Sequence, residues 1–500
     1  MFLKLGEKIK NFFLGDGFMN DQTSEDLKLI DTAFYAIDRH KDAFKELSMQ
    51  YEGVYDEKTR ADYAKANRSA IFVPLSADYV DRISSQFKAA FFTGKTPIEV
   101  IGDDKAKSSK LSKFISKKLD EAKPSDELMK AFKASLIYGF ACVMMRWDEK
   151  KQLPITTYLP VECFALDPKA VSIRDSKFYC YRQSINYIDC VSLFGDEFVK
   201  IVGSKRDDER IEIREIYKKK QDAWIVRSYY KNNLIREKEL YYLPFFFGYA
   251  ITKIPIRKEN PHDEELFYFG QSLLKKISGY QKEINKKRNQ KIDIDELAIN
   301  PRYIFTQDFN PEILGKGAGS GSLVDSLDSY RELPCGAVNV DNDIAVLKAE
   351  VEQTTGLNGV HMGVTSQSDR RSAPALEILA SSGNTLIEDM ITTINDTLFS
   401  HWANGFVNLL SLNLSVSEME KNGISFDNNL RINFGSTISK ARKIENLSRV
   451  FQISSQSPQV PQDITINVFT ELMDLLLDGE YDVSSLTQKQ ESNPEAMGGL

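Results

Sequence analysis

Histidine and cysteine are scarce in this sequence, with four and five residues respectively among 500. The histidines, none of which stands in a metal-ligand spacing such as H-E-x-x-H, are His40, His262, His361 and His401. The cysteines form no C-x-x-C pair, and their odd number does not fit a disulfide framework. We predict reduced, mostly buried thiols at Cys142, Cys163, Cys180, Cys190 and Cys335.

Catalytic motifs are also lacking. The glycine-rich run Gly315–Gly321 does not complete a phosphate-binding G-x-x-x-x-G-K-[ST] loop, and no G-x-S-x-G nucleophile elbow occurs. Three acidic residues, Asp293, Asp295 and Glu296, could hold magnesium for nuclease chemistry, although a solvated helix end is the favoured interpretation. We therefore expect no enzymatic activity, no cofactor and no metal, and we keep a metal-dependent nuclease as the alternative from another class.

Long apolar runs and an excess of positive charge are missing as well. No stretch reaches the roughly 18–20 apolar residues that a membrane span requires. The segment Met1–Met19 alternates apolar residues with lysines and is predicted to be an amphipathic helix. Docking on a partner or on the protein's own body is the favoured interpretation, and a membrane-surface helix is the alternative. The net charge is −7 and the pI about 5.5, so any contact with DNA must come from a local basic feature.

The patterns that are present predict an α+β fold that is mainly helical. Apolar residues recur at helical spacing over Ser76–Phe92, and a second helix is expected over Asp126–Tyr138. A short strand is expected at Ile98–Ile101. From Phe140 to about Pro261, short β-rich runs alternate with turn residues, which is typical of a sheet-containing body.

A single amphipathic helix is predicted over roughly Glu264–Lys291. One side carries an apolar packing seam made of Leu273, Ile277, Tyr280 and Ile284. The opposite side carries a basic face made of Lys275, Lys282 and Lys286. From the residues alone, this face is either a binding surface or a solvated face of the helix.

The second half of the chain alternates irregular and helical segments. A region rich in Gly, Pro, Asn and Asp, Asn300–Asp343, precedes a helix over about Ile344–Thr354 and a glycine-containing loop. A helix of nearly 40 residues, about 55 Å long, is then expected from Ser372 to about Leu410. A strand at Leu430–Phe434 and helices at Ser439–Ile453 and Ile464–Leu477 complete the predicted elements.

Several short motifs, taken in order, resemble the portal proteins of tailed bacteriophages, the head-to-tail connectors, of the short-tailed type. The segments that carry the resemblance are Asn67–Pro74, Tyr138–Val143 with Trp147-Asp148, Leu166–Ala170 with Ile173–Asp175, Phe269–Ser272 with Gln281, Asn285 and Asn289, and Thr355-Gly356 with Met362-Gly363 and Ser372-Ala373. The resemblance covers about residues 20–440.

The resemblance implies a portal fold of wing, stem, clip and short crown around a central channel. Its boundaries would be the N-terminal wing at 1–262, the first stem helix at 263–296, the clip at 297–343, the second stem helix at 344–356, the tunnel loop at 357–371, the long wing helix and wing strand at 372–436, and the crown and tail at 437–500. In that scheme His361, Arg370 and Arg371 of the tunnel loop would face DNA.

The implied function is that of a portal subunit in a closed ring of about twelve copies at one capsid vertex. Double-stranded DNA would be packaged and ejected through it without sequence preference. The implied partners are further copies of the chain, the major capsid protein, the large terminase subunit, a tail adaptor and a scaffold, with no membrane. The implied location is the virion, with assembly in the host cytoplasm. A different virion ring or adaptor protein is the alternative within the structural class.

Overall fold

The computed structural model describes residues 21–92, 98–102, 104–170, 175–254, 266–299, 303–305, 330–332, 340–356, 386–426, 431–434, 447–452, 468–470 and 472–473. The protein is a mixture of helices and sheets, as the sequence predicts. No helix in these ranges is long and apolar enough to cross a membrane. The amphipathic N-terminal segment, the tunnel loop and most of the predicted clip and crown lie outside the described residues.

The N-terminal region consists of six helices and one short strand. They are α1 (Asp21–Asp38), α2 (Lys41–Glu52), α3 (Glu57–Lys65), α4 (Leu75–Phe92), β1 (Ile98–Ile101), α5 (Lys105–Ala122) and α6 (Ser125–Tyr138). The predictions for α4, β1 and α6 are confirmed to within one residue. α4 follows Pro74 and buries an apolar stripe at Tyr79, Val80, Ile83, Phe87 and Phe91.

Two antiparallel sheets make up the β-rich body. The smaller has the order β3-β2-β9, formed by β2 (Ala141–Asp148), β3 (Leu153–Leu159) and β9 (Phe245–Gly248). The larger is a meander in sequence order, formed by β4 (Phe164–Leu166), β5 (Phe178–Asn186), β6 (Arg210–Lys220), β7 (Ala223–Tyr230) and β8 (Asn233–Leu240). Between β5 and β6, α7 (Tyr187–Phe194) and α8 (Asp196–Val202) pack on a small separate core around Phe198 and Ile213.

α1 lies on the larger sheet through apolar contacts and ion pairs. Leu27, Ile30 and Phe34 enter the sheet's core. The fully buried Asp26 accepts hydrogen bonds of 2.8 Å from both Arg227 and Tyr229, and Lys218 Nζ lies 2.6 Å from its other oxygen. Two outer pairs join Asp31 to Arg214 at 2.7 Å and Asp38 to Arg182 at 2.5 Å. We call these three aspartates and their partners the charge clamp.

A pair of helices, α9 (Leu273–Ile299) and α10 (Val340–Thr355), leaves and re-enters the body. α9 begins at Leu273 and not near Glu264 as predicted, and residues 266–272 are not helical. The start is set by Ser272, whose Oγ accepts from the Lys275 N–H at 3.0 Å and acts as a helix cap. Between the far ends of the two helices, β10 (Tyr303–Phe305) pairs antiparallel with β11 (Tyr330–Glu332).

The long C-terminal helix, α11, is described from residue 386 to Asn413 and is not α-helical throughout. Asn395–Phe399 forms a π turn. The buried residues along it step by four, at Met390, Ile394, Leu398, Trp402, Phe406 and Leu410. Because each step of four advances about 40° around an ideal α-helix, a uniform α-helix would rotate this stripe off the core, and the wider turn offsets part of the drift.

The remaining described elements complete the main core. α12 (Val416–Asn422) follows α11, and β12 (Arg431–Phe434) pairs antiparallel with β1. The main core gathers apolar side chains from α4, α5, α6, α9, α10 and α11 with β1, β2 and β12. The root of the α9–α10 pair is therefore part of the main core of the molecule.

Candidate functional site at the root of the α9–α10 pair

A row of amide and carboxylate side chains on α9 binds the backbone of the segment that precedes α4. Three backbone N–H groups donate in reverse order along the helix: Ser69 to Asp293 at 2.8 Å, Ile71 to Asn289 at 2.7 Å and Val73 to Asn285 at 2.9 Å. Asn289 Nδ2 also donates to the Ile71 carbonyl at 3.0 Å, as a neighbouring strand would. We call this arrangement the amide ladder.

The ladder can form because the spacing of side chains along one face of a helix matches the spacing of N–H groups along an extended chain. Four residues of α-helix rise about 6.0 Å, and two residues of extended chain advance about 6.6 Å. Side chains at every fourth position of α9 can therefore reach every second N–H of the segment. The match lets a helix satisfy an extended backbone that has no partner strand.

The ladder ends in a buried cluster at the start of α4. Gln281, which is 1% exposed, accepts from the Ser76 N–H at 3.0 Å and donates to the Val73 carbonyl at 2.6 Å. Gln50 of α2 donates to Ser76 Oγ at 2.8 Å and to the Leu274 carbonyl at 3.2 Å. The root of α9 is thereby joined to α2 and α4 by hydrogen bonds with few solvent-exposed members.

Two glycines allow the entry to α9 to pass close to the start of β2. The Gly270 N–H donates to the Gly139 carbonyl at 2.8 Å. A Cβ on Gly139, whose φ is +79°, would lie 2.5 Å from the Gly270 oxygen. A Cβ on Gly270 would lie 2.3 Å from the Ile251 oxygen. Only glycine fits either position without moving backbone.

The amide ladder and the glycine contact bring together motifs that are far apart in the sequence. Asn67–Pro74 meets Asn285 and Asn289 through the ladder. Tyr138–Val143 meets Phe269–Ser272 through the glycines and through Ser272 Oγ, which donates to the Ile137 carbonyl. Three of the segments that carry the resemblance therefore meet at one place, where the α9–α10 pair joins the body.

α9 and α10 run antiparallel and are joined along their length by polar contacts. Lys276 Nζ donates to the Thr354 carbonyl at 3.2 Å, Lys287 pairs with Asp343 at 2.7 Å, and Lys291 pairs with Asp341. The hydrogen bond from Lys287 to Asp343 raises the pKa of that ammonium group above its ordinary value. Two of the basic side chains that reach α10 are thus matched with carboxylates, and the third with a backbone carbonyl.

The predicted packing seam lies inside the chain. Leu273, Ile277 and Ile284 are at most 1% exposed and belong to the main core, and Tyr280 is half-buried against it. Because these three side chains are covered within one copy, they offer no surface to a neighbouring copy. Any contact between copies along α9 would have to use other side chains.

The predicted basic face, Lys275, Lys282 and Lys286, is exposed. Lys282 forms an ion pair with Glu46 of α2 at 2.6 Å, with both side chains more than half exposed. What this face meets in an assembly stays a prediction. The other predicted DNA-facing side chains, His361, Arg370 and Arg371, lie outside the described residues.

The acidic residues considered for a magnesium site lie near the end of α9. Asp293 accepts the Ser69 N–H as the last rung of the ladder, and Asp295 and Glu296 are exposed. Among the described residues no group of three His, Cys, Asp or Glu side chains could hold a metal ion. The four described cysteines are free, and Cys142, Cys180 and Cys190 are buried, which raises the pKa of each thiol.

Two features of the structure were not anticipated from the sequence. The charge clamp joins residues about 150–200 positions apart, so no local pattern signals it. A second basic helix, α5, is detectable from the sequence, because four of its six lysines recur every three or four residues. Only the structure, however, shows which of its lysines lack a carboxylate partner.

Comparison with known proteins does not assign the chain to a family. No family model matches the chain, and no curated protein matches it. A distantly similar solved structure is the neck of an empty gene transfer agent (GTA) particle, computed with six-fold symmetry. It is 11% identical, with 79% of this chain and 90% of that chain covered and a TM-score of 0.41. At that score the likeness carries no argument about function.

Proposed function

We propose that this chain is a portal subunit, one copy in a ring at a capsid vertex through which double-stranded DNA is packaged and ejected. The observation that carries the proposal is the antiparallel α9–α10 pair, rooted in the core at one end and bearing the β10–β11 strand pair at the other. This is the order of stem, clip and stem that the sequence resemblance implies. The amide ladder supports it further, because it holds the root of the pair rigidly.

The composition agrees with a conduit and not with a DNA-coating protein. The chain carries a net charge of −7, and the lysines of α9 nearest α10 are paired with carboxylates. DNA affinity rises steeply with the number of phosphates that cationic groups neutralise, so a channel lined with free lysines would retain its cargo. An acidic subunit whose α9 lysines Lys287 and Lys291 are paired with carboxylates holds DNA less tightly, which supports a conduit.

In this proposal the insert between α9 and α10, residues 300–339, binds the terminase motor during packaging and the tail adaptor afterwards. The outer surface of the body contacts the major capsid protein and, during assembly, the scaffold. A pulldown with the insert replaced by a short flexible linker tests this part. Loss of both partners is expected, and capture of both by the shortened chain would contradict it.

Electron microscopy of the purified full chain tests the proposal directly. We expect end-on class averages with about twelve-fold symmetry and a central hole, the closed product of a head-to-tail interface. A matched pair of variants sharpens the test: Gln281→Ala/Asn285→Ala loosens the root of α9 and should reduce the yield of rings, whereas Asn422→Ala on the exposed end of α12 should not. A compact monomer or dimer at every concentration would reject the proposal.

The two alternatives predict different results in the same samples. A virion ring or adaptor protein of another kind would form rings that fail to capture terminase. A nuclease would cleave duplex DNA in a magnesium-dependent manner, and Asp293 would then be required for cleavage. Cleavage that persists in Asp293→Asn would exclude the acidic group on α9 as its site.

A further inference from the structure

α5 is an amphipathic helix that is fixed to the main core by one face. Leu111, Ile115 and Leu119 are at most 4% exposed and belong to that core. Ser112 Oγ accepts the Val100 N–H of β1 at 2.9 Å, and Lys118 lies 3.7 Å from Glu418 of α12. The helix is thus a rigid platform, and whatever its outer face carries is presented in a fixed arrangement.

The outer face of α5 carries a row of lysines. Lys107, Lys110, Lys113 and Lys117 are exposed and follow one another at intervals of three, three and four residues. At 100° per residue the four fall within about 120° of one another, and they span about 15 Å along the helix. The row lies on the side opposite the buried stripe.

Within the part of the chain that the structure describes, three of these lysines have no carboxylate partner. Lys107 lies 3.6 Å from Asp104, and within the described residues Lys110, Lys113 and Lys117 make no ion pair. On α9, Lys282, Lys287 and Lys291 are each paired, and Lys286 makes no ion pair with a described residue. Like charges three or four residues apart on a helix repel one another. α5 therefore keeps an unfavourable charge row in a chain that is acidic as a whole.

We propose that Lys110, Lys113 and Lys117 of α5 bind the phosphate backbone of double-stranded DNA. Lysine suits this role because its ammonium is a compact point charge that attracts phosphate without demanding a fixed bidentate geometry. The face offers no arginine, asparagine or glutamine to read base edges, so binding is independent of sequence. Its one aromatic residue, Phe114, is half-buried in the core, which disfavours base stacking and single strands.

The assignment of DNA as the polyanion rests on the proposed portal function, since packaged DNA is the phosphate surface that such a subunit meets. The row is short, and the three contacts that one copy offers give only weak attraction per copy. Each phosphate neutralised contributes about −0.9 to the slope of log affinity against log salt, so the three together contribute about −2.7. Contacts of that size guide DNA along the body without holding it.

Fluorescence anisotropy with a short labelled duplex and the full chain tests the inference across about 50–200 mM salt. We expect Lys110→Gln/Lys113→Gln/Lys117→Gln to weaken DNA binding at least tenfold at about 50 mM salt. The slope of log affinity against log salt should become shallower by about two to three. A charge-matched control, Lys58→Gln/Lys151→Gln/Lys220→Gln, removes three scattered exposed lysines and should change affinity less than twofold. Replacing the same three α5 lysines by arginine should preserve binding.

A second comparison uses the basic face of α9, Lys275→Gln/Lys282→Gln/Lys286→Gln. If this variant loses affinity and the α5 variant does not, the inference is wrong and the DNA contact lies on α9. Equal losses in the α5 and scattered variants would reduce the effect to net charge and would also overturn it. Binding by the wild-type chain that is too weak to detect, or unchanged in the α5 variant, has the same consequence.

Electron microscopy of the same samples separates this inference from the portal proposal. Rings whose DNA binding ignores the α5 substitutions would reject the α5 site and leave the portal proposal standing. DNA binding that depends on α5 in a chain that never forms rings would reject the portal proposal and leave the site standing. If the α5 lysines bind an acidic protein surface and not DNA, neither the wild-type chain nor the α5 variant will change the anisotropy of the labelled duplex. That result would count against the DNA site.

Discussion

The amide ladder and the charge clamp fasten two segments of the chain to its body by opposite chemistry. The ladder holds residues 69–76 against α9 through Asn285, Asn289 and Gln281, which are neutral and bond backbone groups. The clamp holds α1 against the larger sheet through Asp26 and two outer carboxylates, which bond cationic side chains. The neutral amide contacts respond little to salt or protons, whereas the ladder's one carboxylate rung, Asp293, and the ion pairs of the clamp respond to both.

The difference matches the positions of the two segments. The ladder lies at the root of the α9–α10 pair, where a change in solution conditions should not alter geometry. The clamp lies on the outside of the body, where two of its three pairs reach solvent. We infer that the ladder is the permanent attachment and that the clamp is the one that solution conditions can loosen. Local hydrogen exchange can distinguish the two, because it reports the opening of each segment separately.

Breaking the buried end of the ladder should have the largest effect. Gln281→Ala/Asn285→Ala removes the acceptors of the Ser76 and Val73 N–H groups, and an orphaned buried donor costs about 1–3 kcal/mol. We expect amide exchange in residues 69–76 to accelerate about a hundredfold, with α1 unchanged. Asn422→Ala, on the exposed end of α12, serves as the control. Unaltered protection of residues 69–76 would show that the ladder contributes nothing to that attachment.

Removing the buried charge of the clamp should come next. Asp26→Asn keeps the shape but leaves Arg227 and Lys218 with less compensation, although Glu237 still pairs with Arg227 at 2.6 Å. Because Lys218 is partly exposed, we expect the free energy that holds α1 on the sheet to fall by about 2 kcal/mol. This is below the roughly 3–5 kcal/mol lost when a fully buried ion pair is broken. Exchange in α1 should rise about thirtyfold while residues 69–76 stay protected. Asp222→Asn is the matched exposed control, and an equal response in both variants would argue against a special role for Asp26.

Acid should separate the two attachments without any substitution. Burial by itself raises the pKa of Asp26, but hydrogen bonds from Lys218, Arg227 and Tyr229 outweigh it and hold the pKa below 3.8. A lowered carboxyl pKa stabilises the folded state above the unfolded value and loses that contribution as the pH falls through the folded value. We therefore expect α1 to lose protection as the pH falls below about 4, before residues 69–76 do.

Exchange rates corrected for their intrinsic pH dependence measure this effect. Asp26→Asn should flatten the acid transition of α1, because the titrating group is gone. The Asn and Gln rungs of the ladder do not titrate and should show no transition of their own. Simultaneous loss of both segments would mean that they open as one unit.

An outer pair of the clamp should have the smallest effect. Asp38→Asn breaks a bidentate bond to Arg182, whose guanidinium also lies 4.5 Å from the Phe34 ring centre. Because both partners are partly exposed, we expect α1 to be destabilised by about 0.2–1 kcal/mol. Amide exchange in α1 should rise about two- to fivefold. Added salt should erase most of the difference between this variant and the wild type. A change as large as that of Asp26→Asn would place the anchor of α1 at its outer end.

Much of the fold could be predicted from local pattern, and the exceptions have physical causes. Apolar periodicity predicts α4, and the break in that periodicity predicts the short strand β1. The structure has each element at the expected residues, to within one position. The start of α9 was misplaced because Ser272 caps the helix, and a cap is a single-residue signal that periodicity does not detect. The π turn in α11 was missed for the opposite reason, since a stripe stepping by four looks like a uniform helix.

The candidate site could be predicted only in part. Gln281, Asn285 and Asn289 were identified as a motif, but their role as acceptors for an extended backbone depends on a segment more than 200 residues earlier in the chain. The basic face of α9 was identified from periodicity alone. Periodicity predicts the side of a helix on which a lysine lies. It does not predict whether a carboxylate from another part of the chain forms an ion pair with that lysine.

The sequence by itself determined the α+β class, the spacing of apolar residues that forms the core helices, and the four-residue repeat of amides on α9, because each depends on neighbours along the chain. Tertiary structure alone decided which groups are free. It paired Lys282 with Glu46 and Lys287 with Asp343, buried Asp26 under Arg227, and left Lys110, Lys113 and Lys117 of α5 without an ion pair to any described residue. Charge pairing and burial are set by residues distant in sequence, so only the folded chain fixes which charges remain to meet a partner.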